Sequence, residues 1–215
     1  MKKTPDIIWK ICGMRDLQNV CAVAELQPNY MGFIFYKDSP RFVGNQFEVP
    51  ANLPTSMKRV GVFVNESLDR VLALVQKHRL DFVQLHGDEP VGYAEALKKI
   101  TGVIKVFRVD EDFDFSATAE FETVSDFFLF DTKGTYFGGN AIRFDWNLLQ
   151  KYVGNVPFFL SGGISPSTIQ DLENFSHQKF YALDINSGVE EQPAFKSVEK
   201  IKDLLHSLEK IRRKH

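Results

Sequence analysis

The sequence predicts a single-domain α/β protein folded as a (βα)8, or TIM, barrel. Three observations point there. Eight short apolar runs recur along the chain, amphipathic or turn-rich segments separate them, and the first run lacks a dinucleotide-binding turn after it. The runs, rich in Val, Ile and Phe, are 7–12, 31–36, 59–65, 82–86, 103–109, 127–132, 158–161 and 181–186. They start about 20 to 30 residues apart, a repeat long enough for a strand, a crossover and a return. Their apolar continuity suits parallel strands covered by helices.

The segments between the runs carry helix signals of unequal strength. Ser67 predicts a start for 68–78, where Leu68, Val71, Leu72 and Val75 make one apolar stripe. Ser165-Pro166 predicts a helix over 167–175 with proline near its first turn. Asp145 predicts one over 146–152, and Ser197 a long final helix ending near Arg213. Between Arg41 and Lys58, Pro50 and Pro54 break any long periodic pattern, so the second helix is short or missing. The acidic stretch 110–124 is only weakly helical. Cys21 falls within the first helix and reads as a small buried hydrophobe.

Eight strand–helix units can close into a barrel or lie open as a doubly wound sheet. An open nucleotide-binding sheet calls for G-x-G-x-x-G after the first strand, and this chain has Lys10-Ile11-Cys12-Gly13-Met14-Arg15. The closed barrel is therefore expected, as one domain over 1–215.

Composition narrows the partners. Of 215 residues, 44% are hydrophobic and 25% charged, and the net charge is -2, so neither nucleic acid nor an anionic membrane is implied. Phenylalanine is abundant, 20 residues, which predicts aromatic packing between layers. Two cysteines make no disulfide framework, and a reducing, cytoplasmic setting follows. Met1-Lys2-Lys3 precedes an apolar stretch too short and too charged for an export signal. No uninterrupted apolar run reaches the ~18 residues of a membrane span. The basic stretch from Lys210 to Lys214 reads as positive charge at the end of a helix dipole.

Barrel enzymes place their chemistry where strands run into the following loops. Counting in twos back from each strand end gives an inward polar set: Lys10, Cys12, Gln84, His86, Asp131, Asp184 and Asn186. Lys10 is expected to help neutralise inward carboxylates. Ser161-Gly162-Gly163-Ile164 ends the seventh strand before a helix start, and Asn186-Ser187-Gly188 ends the eighth. Glycine loops at these two places predict a phosphate grip. Gly138-Gly139 after the sixth strand adds further amides. Cys12 is open to three roles, nucleophile, metal ligand or proton acceptor, but no second cysteine lies at ligand spacing and the histidines are scattered. A thiol near ~8.5 needs only modest lowering to act as a base. With Asp131 as acid across the barrel, the pair describes a proton-transfer isomerase of a small phosphorylated substrate.

A set of motifs stands in order along the chain, mostly at strand ends. They are Lys10-Ile11-Cys12-Gly13, Gly32-Phe33-Ile34-Phe35 with Ser39-Pro40-Arg41, Val60-Gly61-Val62-Phe63-Val64-Asn65, and Val83-Gln84-Leu85-His86-Gly87. Phe130-Asp131-Thr132, Phe144-Asp145-Trp146, Leu160-Ser161-Gly162-Gly163-Ile164 and Asp184-Ile185-Asn186-Ser187-Gly188-Val189-Glu190 complete them. Together, and in this order, the motifs are similar to those of the phosphoribosylanthranilate isomerase family of tryptophan biosynthesis. The resemblance implies an Amadori rearrangement of N-(5-phosphoribosyl)anthranilate to the carboxyphenylamino-deoxyribulose phosphate, needing neither metal nor organic cofactor. It implies Asp131 as general acid and Cys12 as general base. It implies Arg41 as the holder of the anthranilate carboxylate, although a loop arginine is more often exposed and solvated. His86, Gly139, Gly162, Gly163, Asp184, Asn186, Ser187 and Gly188 are expected to bind the rest of the substrate, in a monomer or weak homodimer. Asn140-Ala141 stands where the family usually has Thr-Gly, Ala194 and Ser197 replace a usual glycine and aspartate, and Asn186 sits where serine is common. Two other readings remain open: the related histidine-pathway isomerase barrel, which usually carries an aspartate where this chain has Cys12, and a metabolite-binding barrel without catalysis.

Overall fold

The computed structural model describes residues 7–134 and 143–213. Eight parallel strands close on one another in chain order: β1 Ile8–Ile11, β2 Tyr30–Ile34, β3 Lys58–Phe63, β4 Phe82–Leu85, β5 Gly102–Val109, β6 Phe127–Thr132, β7 Phe158–Leu160 and β8 Phe180–Ile185. Every neighbouring pair is parallel, and β1 pairs with β8 from Ile8↔Ala182 to Ile11↔Ile185, which closes the ring. The expected strands all form, with ends within two residues of the apolar runs. A short antiparallel hairpin, β9 Glu190–Gln192 and β10 Phe195–Lys196, follows β8 and was not foreseen.

Alternation along each strand sorts side chains into two apolar layers. Inside the barrel, Val60, Ile104, Val106, Leu129, Phe159 and Ala182 interdigitate, with Tyr30 below them. The lower end is sealed by rings: Phe159 meets Tyr30 edge-on at 5.1 Å, and Phe127 stacks on Tyr181 at 4.6 Å. The hydroxyls of Tyr30 and Tyr181 lie 3.0 Å apart, and burial followed by that hydrogen bond pushes the Tyr30 phenol up. Outside the barrel, Phe107, Phe128, Phe130, Phe158 and Tyr152 pack at ring distances of 5.0 to 6.0 Å. Each such buried ring contributes about 1.5–3 kcal/mol from burial alone.

The outer cover contains less α-helix than an idealised barrel. α1 Leu17–Ala24 is capped by Asp16, whose carboxylate accepts the Asn19 N–H at 2.8 Å. α2 Leu68–His78 buries Val71 and Val75, as its stripe predicts; Ser67 takes the cap position, but its hydroxyl turns to Glu66 instead. α3 Val91–Lys98 and α4 Val198–Arg213 complete the α-helices, none of them long and apolar enough to cross a membrane among the described residues. No helix joins β2 to β3; Val43, Leu53 and Met57 instead bury themselves from an irregular chain. Phe115–Phe121, Trp146–Lys151 and Ile169–Asn174 are 3-10 helices. The last corrects the expected 167–175 helix: Ser165 and Thr168 bond locally, and the helix starts only after them. Cys21 is exposed, not buried, because Asn19, Val20, Val23 and Ala24 take the inward face of α1.

The hairpin turns at Pro193-Ala194, and Ala194 has φ +67°. A proline followed by a residue at positive φ is the requirement of a type II turn, which glycine meets without strain. Ala194→Gly is therefore expected to stabilise the protein. A left-handed non-glycine costs about 1–3 kcal/mol, and glycine returns about 0.4–1 kcal/mol of that through unfolded-state entropy. A net gain of ~1 kcal/mol raises the thermal midpoint by about 2–4 °C for a chain of this size. An unchanged or lower midpoint would show that Ala194 bears no backbone penalty.

Candidate active site

The C-terminal strand ends surround one cavity, and Cys12 lies on its β1 side. The Cys12 N–H donates to the Ile185 carbonyl at 2.9 Å, and those of Gly13 and Met14 both reach the Gly32 carbonyl at 3.0 Å. These bonds carry the chain after β1 across its neighbours. Gly32 leaves the thiol its space, since a Cβ there would lie 2.7 Å from the sulfur. The sulfur packs with Ile34 and Val62. Burial in this apolar patch pushes the Cys12 thiol up, assisted by Asp184, while Lys10 and Lys196 draw it down. The direction is opposite to the lowering expected from the sequence, because removal from water penalises a thiolate more than two nearby ammonium groups repay.

Lys10, wholly buried, places its Nζ 2.6 Å from Asp184 Oδ1. Burial opposes its charge, but the Asp184 carboxylate and then Cys12 outweigh burial and hold the ammonium above its ordinary value. The expected neutralising role of Lys10 thus has a specific partner. Asp184 Oδ2 accepts from the Ser161 hydroxyl at 3.2 Å, so β1, β7 and β8 meet on one carboxylate.

Asp131, from β6, faces the same cavity. Its Oδ1 accepts the Thr132 N–H at 2.8 Å, and its Oδ2 stands 3.5 Å from His86 Nε2. Gln84 Nε2 lies 3.1 Å from His86 Nδ1. His86 Nε2 and Gln84 Oε1 are buried without a hydrogen-bond partner, the condition of polar atoms that a ligand can satisfy.

Arg41 is buried, not the solvated loop residue that its sequence position suggests. Its Nε and one terminal nitrogen clasp Glu190 side-on at 2.9 and 2.7 Å. That geometry leaves the other edge of the guanidinium fork for a second acceptor. Glu190 is held below its ordinary value: burial opposes ionisation, and Arg41 and Lys196 overcome it. Lys196 bonds Glu190 Oε1 at 2.6 Å and Asn186 Oδ1 at 2.7 Å.

Gly162, Asn186, Ser187 and Gly188 line the β7 and β8 side of the cavity. Gly162 and Gly163 both take positive φ, +84° and +74°. Gly163, however, does not line the cavity among the described residues; a Cβ there would meet Arg143 at 2.8 Å. Gly188 packs its loop on the β7 loop, since a Cβ would come 2.0 Å from the Ile164 carbonyl oxygen. Gly139, with Gly138, Asn140 and Ala141, lies outside the described residues. The cavity therefore gathers Cys12, Arg41, His86, Gly162, Asp131, Asp184, Asn186, Ser187 and Gly188. Sequence reasoning gave no role to Glu190 or Lys196. Their signal, a glutamate and a lysine flanking Pro193-Ala194, becomes legible only once that pair is known to be a hairpin turn.

The buried pair makes Lys10→Met a direct test of the site's foundation. The substitution leaves the Asp184 carboxylate without its cation and is expected to cost about 3–5 kcal/mol in urea unfolding. A loss below about 1 kcal/mol would show that Asp184 does not depend on Lys10.

This geometry has close counterparts. A sequence model of the N-(5'-phosphoribosyl)anthranilate (PRA) isomerase family matches residues 9–207. The N-(5'-phosphoribosyl)anthranilate isomerase of Parabacteroides distasonis is 40% identical over 206 residues, spanning 94% of this chain and 93% of that protein. The crystal structure of phosphoribosyl anthranilate isomerase from Thermotoga maritima superposes with a TM-score of 0.82 at 30% identity, over 95% of this chain and 99% of that one. A phosphoribosyl anthranilate isomerase crystallised with reduced 1-(o-carboxyphenylamino)-1-deoxyribulose 5-phosphate matches with a TM-score of 0.79 at 28% identity, over 95% and 99% of the two chains. Model, relatives and fold agree over nearly the whole chain, which belongs to the phosphoribosylanthranilate isomerase family.

Proposed function

We propose that this chain carries out its family's Amadori rearrangement of N-(5'-phosphoribosyl)anthranilate with Asp131 as general acid and Cys12 as general base. One observation carries the assignment: the two groups enter a single cavity from β6 and β1, three steps apart around the ring of eight strands. A protonated Asp131 donates to the ribose ring oxygen. The C1–O bond breaks as the nitrogen lone pair forms the iminium. The Cys12 thiolate then removes the proton on C2, and that electron pair makes the C1=C2 bond of an enolamine. Protonation at C1 and loss of the C2 hydroxyl proton give the ketone, so the atoms are rearranged with none gained or lost.

The remaining groups fit the two ends of such a substrate. Ile34, Val62 and Val64 form an apolar wall for the aryl ring, and the unclasped edge of Arg41 suits its carboxylate. Gly162, Ser187 and Gly188 offer the phosphate a backbone-lined recess where barrels commonly hold one. Gly163 supports that recess by shaping the loop. Asp184, Asn186 and His86 face the sugar between the two ends. The cysteines are unpaired, and the exposed large hydrophobics among the described residues, Leu17, Ile100 and Val153, come from three separate units. These features support a cytoplasmic monomer or weak homodimer.

Cys12→Ser replaces the thiol by a far weaker acid, and Asp131→Asn removes the donated proton. Each is expected to lower turnover by about 100-fold or more, followed as loss of phosphoribosylanthranilate fluorescence. Near-normal turnover in a folded variant would remove that residue from the mechanism. Arg41→Ala is expected to weaken an anthranilate-bearing product analogue by about tenfold or more while leaving ribose 5-phosphate within about twofold. Equal weakening of both ligands, measured by calorimetry, would overturn the assignment of Arg41 to the carboxylate end.

A further inference from the structure

Lys196 is a deeply buried charge that the reaction scheme leaves unused. Its side chain is wholly buried, yet it comes from a surface hairpin. The backbone of Lys196 is pinned to α1 by a reciprocal pair with the Asn19 amide, both bonds 2.8 Å. From that anchor the ammonium reaches Asn186 Oδ1 at 2.7 Å, the Asn186 carbonyl at 3.3 Å and Glu190 Oε1 at 2.6 Å. The same Glu190 oxygen accepts from Arg41 Nε at 2.9 Å and the Ala194 N–H at 3.0 Å. Glu190 is thus a hinge pin between Lys196 and Arg41. Lys196 also stands beside Cys12: a Cβ on Gly13, the next residue, would lie 3.5 Å from its Nζ.

We propose that Lys196 is a positioning residue for the isomerisation, fixing Glu190 so that Arg41 meets the substrate carboxylate and placing a positive charge beside the Cys12 thiolate. The proposal rests on the reading of Cys12 as base and Arg41 as carboxylate holder. Three donated hydrogen bonds require the ammonium form. Burial, with help from Arg41, lowers Lys196 to about 8, while Glu190 and Cys12 work against that fall. The charge is therefore present at neutral pH and lost as pH rises past about 8. Around Cys12 the other groups are Lys10 on β1, Asp184 on β8, Arg41 after β2, and Asp131 and His86 across the cavity. Lys10 stays charged through this range, so the alkaline change belongs to Lys196.

The test uses the full chain carrying Cys21→Ser, which removes the exposed thiol. The rate of iodoacetamide alkylation of Cys12 is followed at pH 7, where Lys196 carries its charge, alongside kcat and KM. Lys196→Met is expected to slow that alkylation by about tenfold, because less of the thiol ionises without the neighbouring charge. It is also expected to lower kcat/KM by about tenfold or more, the scale of one charge-assisted hydrogen bond. Glu190→Gln removes the carboxylate that orients Arg41 and should raise KM more than it lowers kcat, a split that a merely structural lysine would not produce. An unchanged alkylation rate at pH 7 in folded Lys196→Met would overturn the electrostatic part, and an unchanged KM in Glu190→Gln the positioning part. Should Lys196→Met fail to fold, Lys196→Arg decides. A guanidinium does not discharge in this range, so the alkaline fall in kcat/KM near pH 8 should disappear, and its persistence would overturn the proposal. Near-normal turnover in Cys12→Ser would instead overturn the base assignment, whereas an inactive Cys12→Ser with an unchanged Lys196→Met alkylation rate would overturn the role of Lys196 alone.

Discussion

The barrel closes where β1 meets β8, and the Lys10–Asp184 ion pair sits on that seam, directly beneath the cavity. Two opposite charges removed from water tolerate burial only when geometry and further hydrogen bonds compensate them. Here the contact is 2.6 Å, and Ser161 supplies an added bond. The pair is therefore both a closure and a boundary. Below it the interior is aliphatic and aromatic; above it polar groups from β1, β4, β6 and β8 face an apolar wall of Ile34, Val62 and Val64. Register across the seam places Lys10 opposite Asp184, and that alignment brings Cys12 and Asn186 to the mouth together.

The chemistry above the seam is organised by alternating charge. Lys10, Asp184, Lys196, Glu190 and Arg41 form two linked groups on the β1 and β8 side, with the Cys12 sulfur between them. An apolar pocket alone drives a thiol toward its neutral form. The cationic neighbours offset part of that cost without exposing the sulfur to water. Asp131 is held apart from this network, against His86 and Thr132 on the far side.

Small residues set the distances in this arrangement. Gly32 leaves room for the sulfur, Gly13 lets Arg41 and Asn186 approach beside it, and Gly188 allows the loops after β7 and β8 to touch. The hairpin after β8 extends the same logic beyond the barrel. Its turn forces Ala194 into a left-handed conformation, and in return the Ala194 N–H joins Arg41 and Lys196 on one glutamate oxygen. Strain in such a turn persists only where surrounding contacts over-determine it.

By itself the sequence determined the closed barrel, the strand positions, the missing second helix, and the inward polar set, because each follows from a period of two, from proline placement, or from the end of an apolar run. The family was legible too, since its motifs fall in order on strand ends. Tertiary structure alone decided which charges pair. Nothing local in Arg41, Glu190 and Lys196, up to 155 residues apart, says that they share oxygens in one cluster. Nor did local pattern show that Gly163 packs against Arg143 outside the cavity's described lining, that Cys21 faces outward, or that the Cys12 thiol is pushed up. Periodicity fixes the face on which a side chain lies, whereas burial, pairing and pKa depend on what the rest of the chain brings to that face.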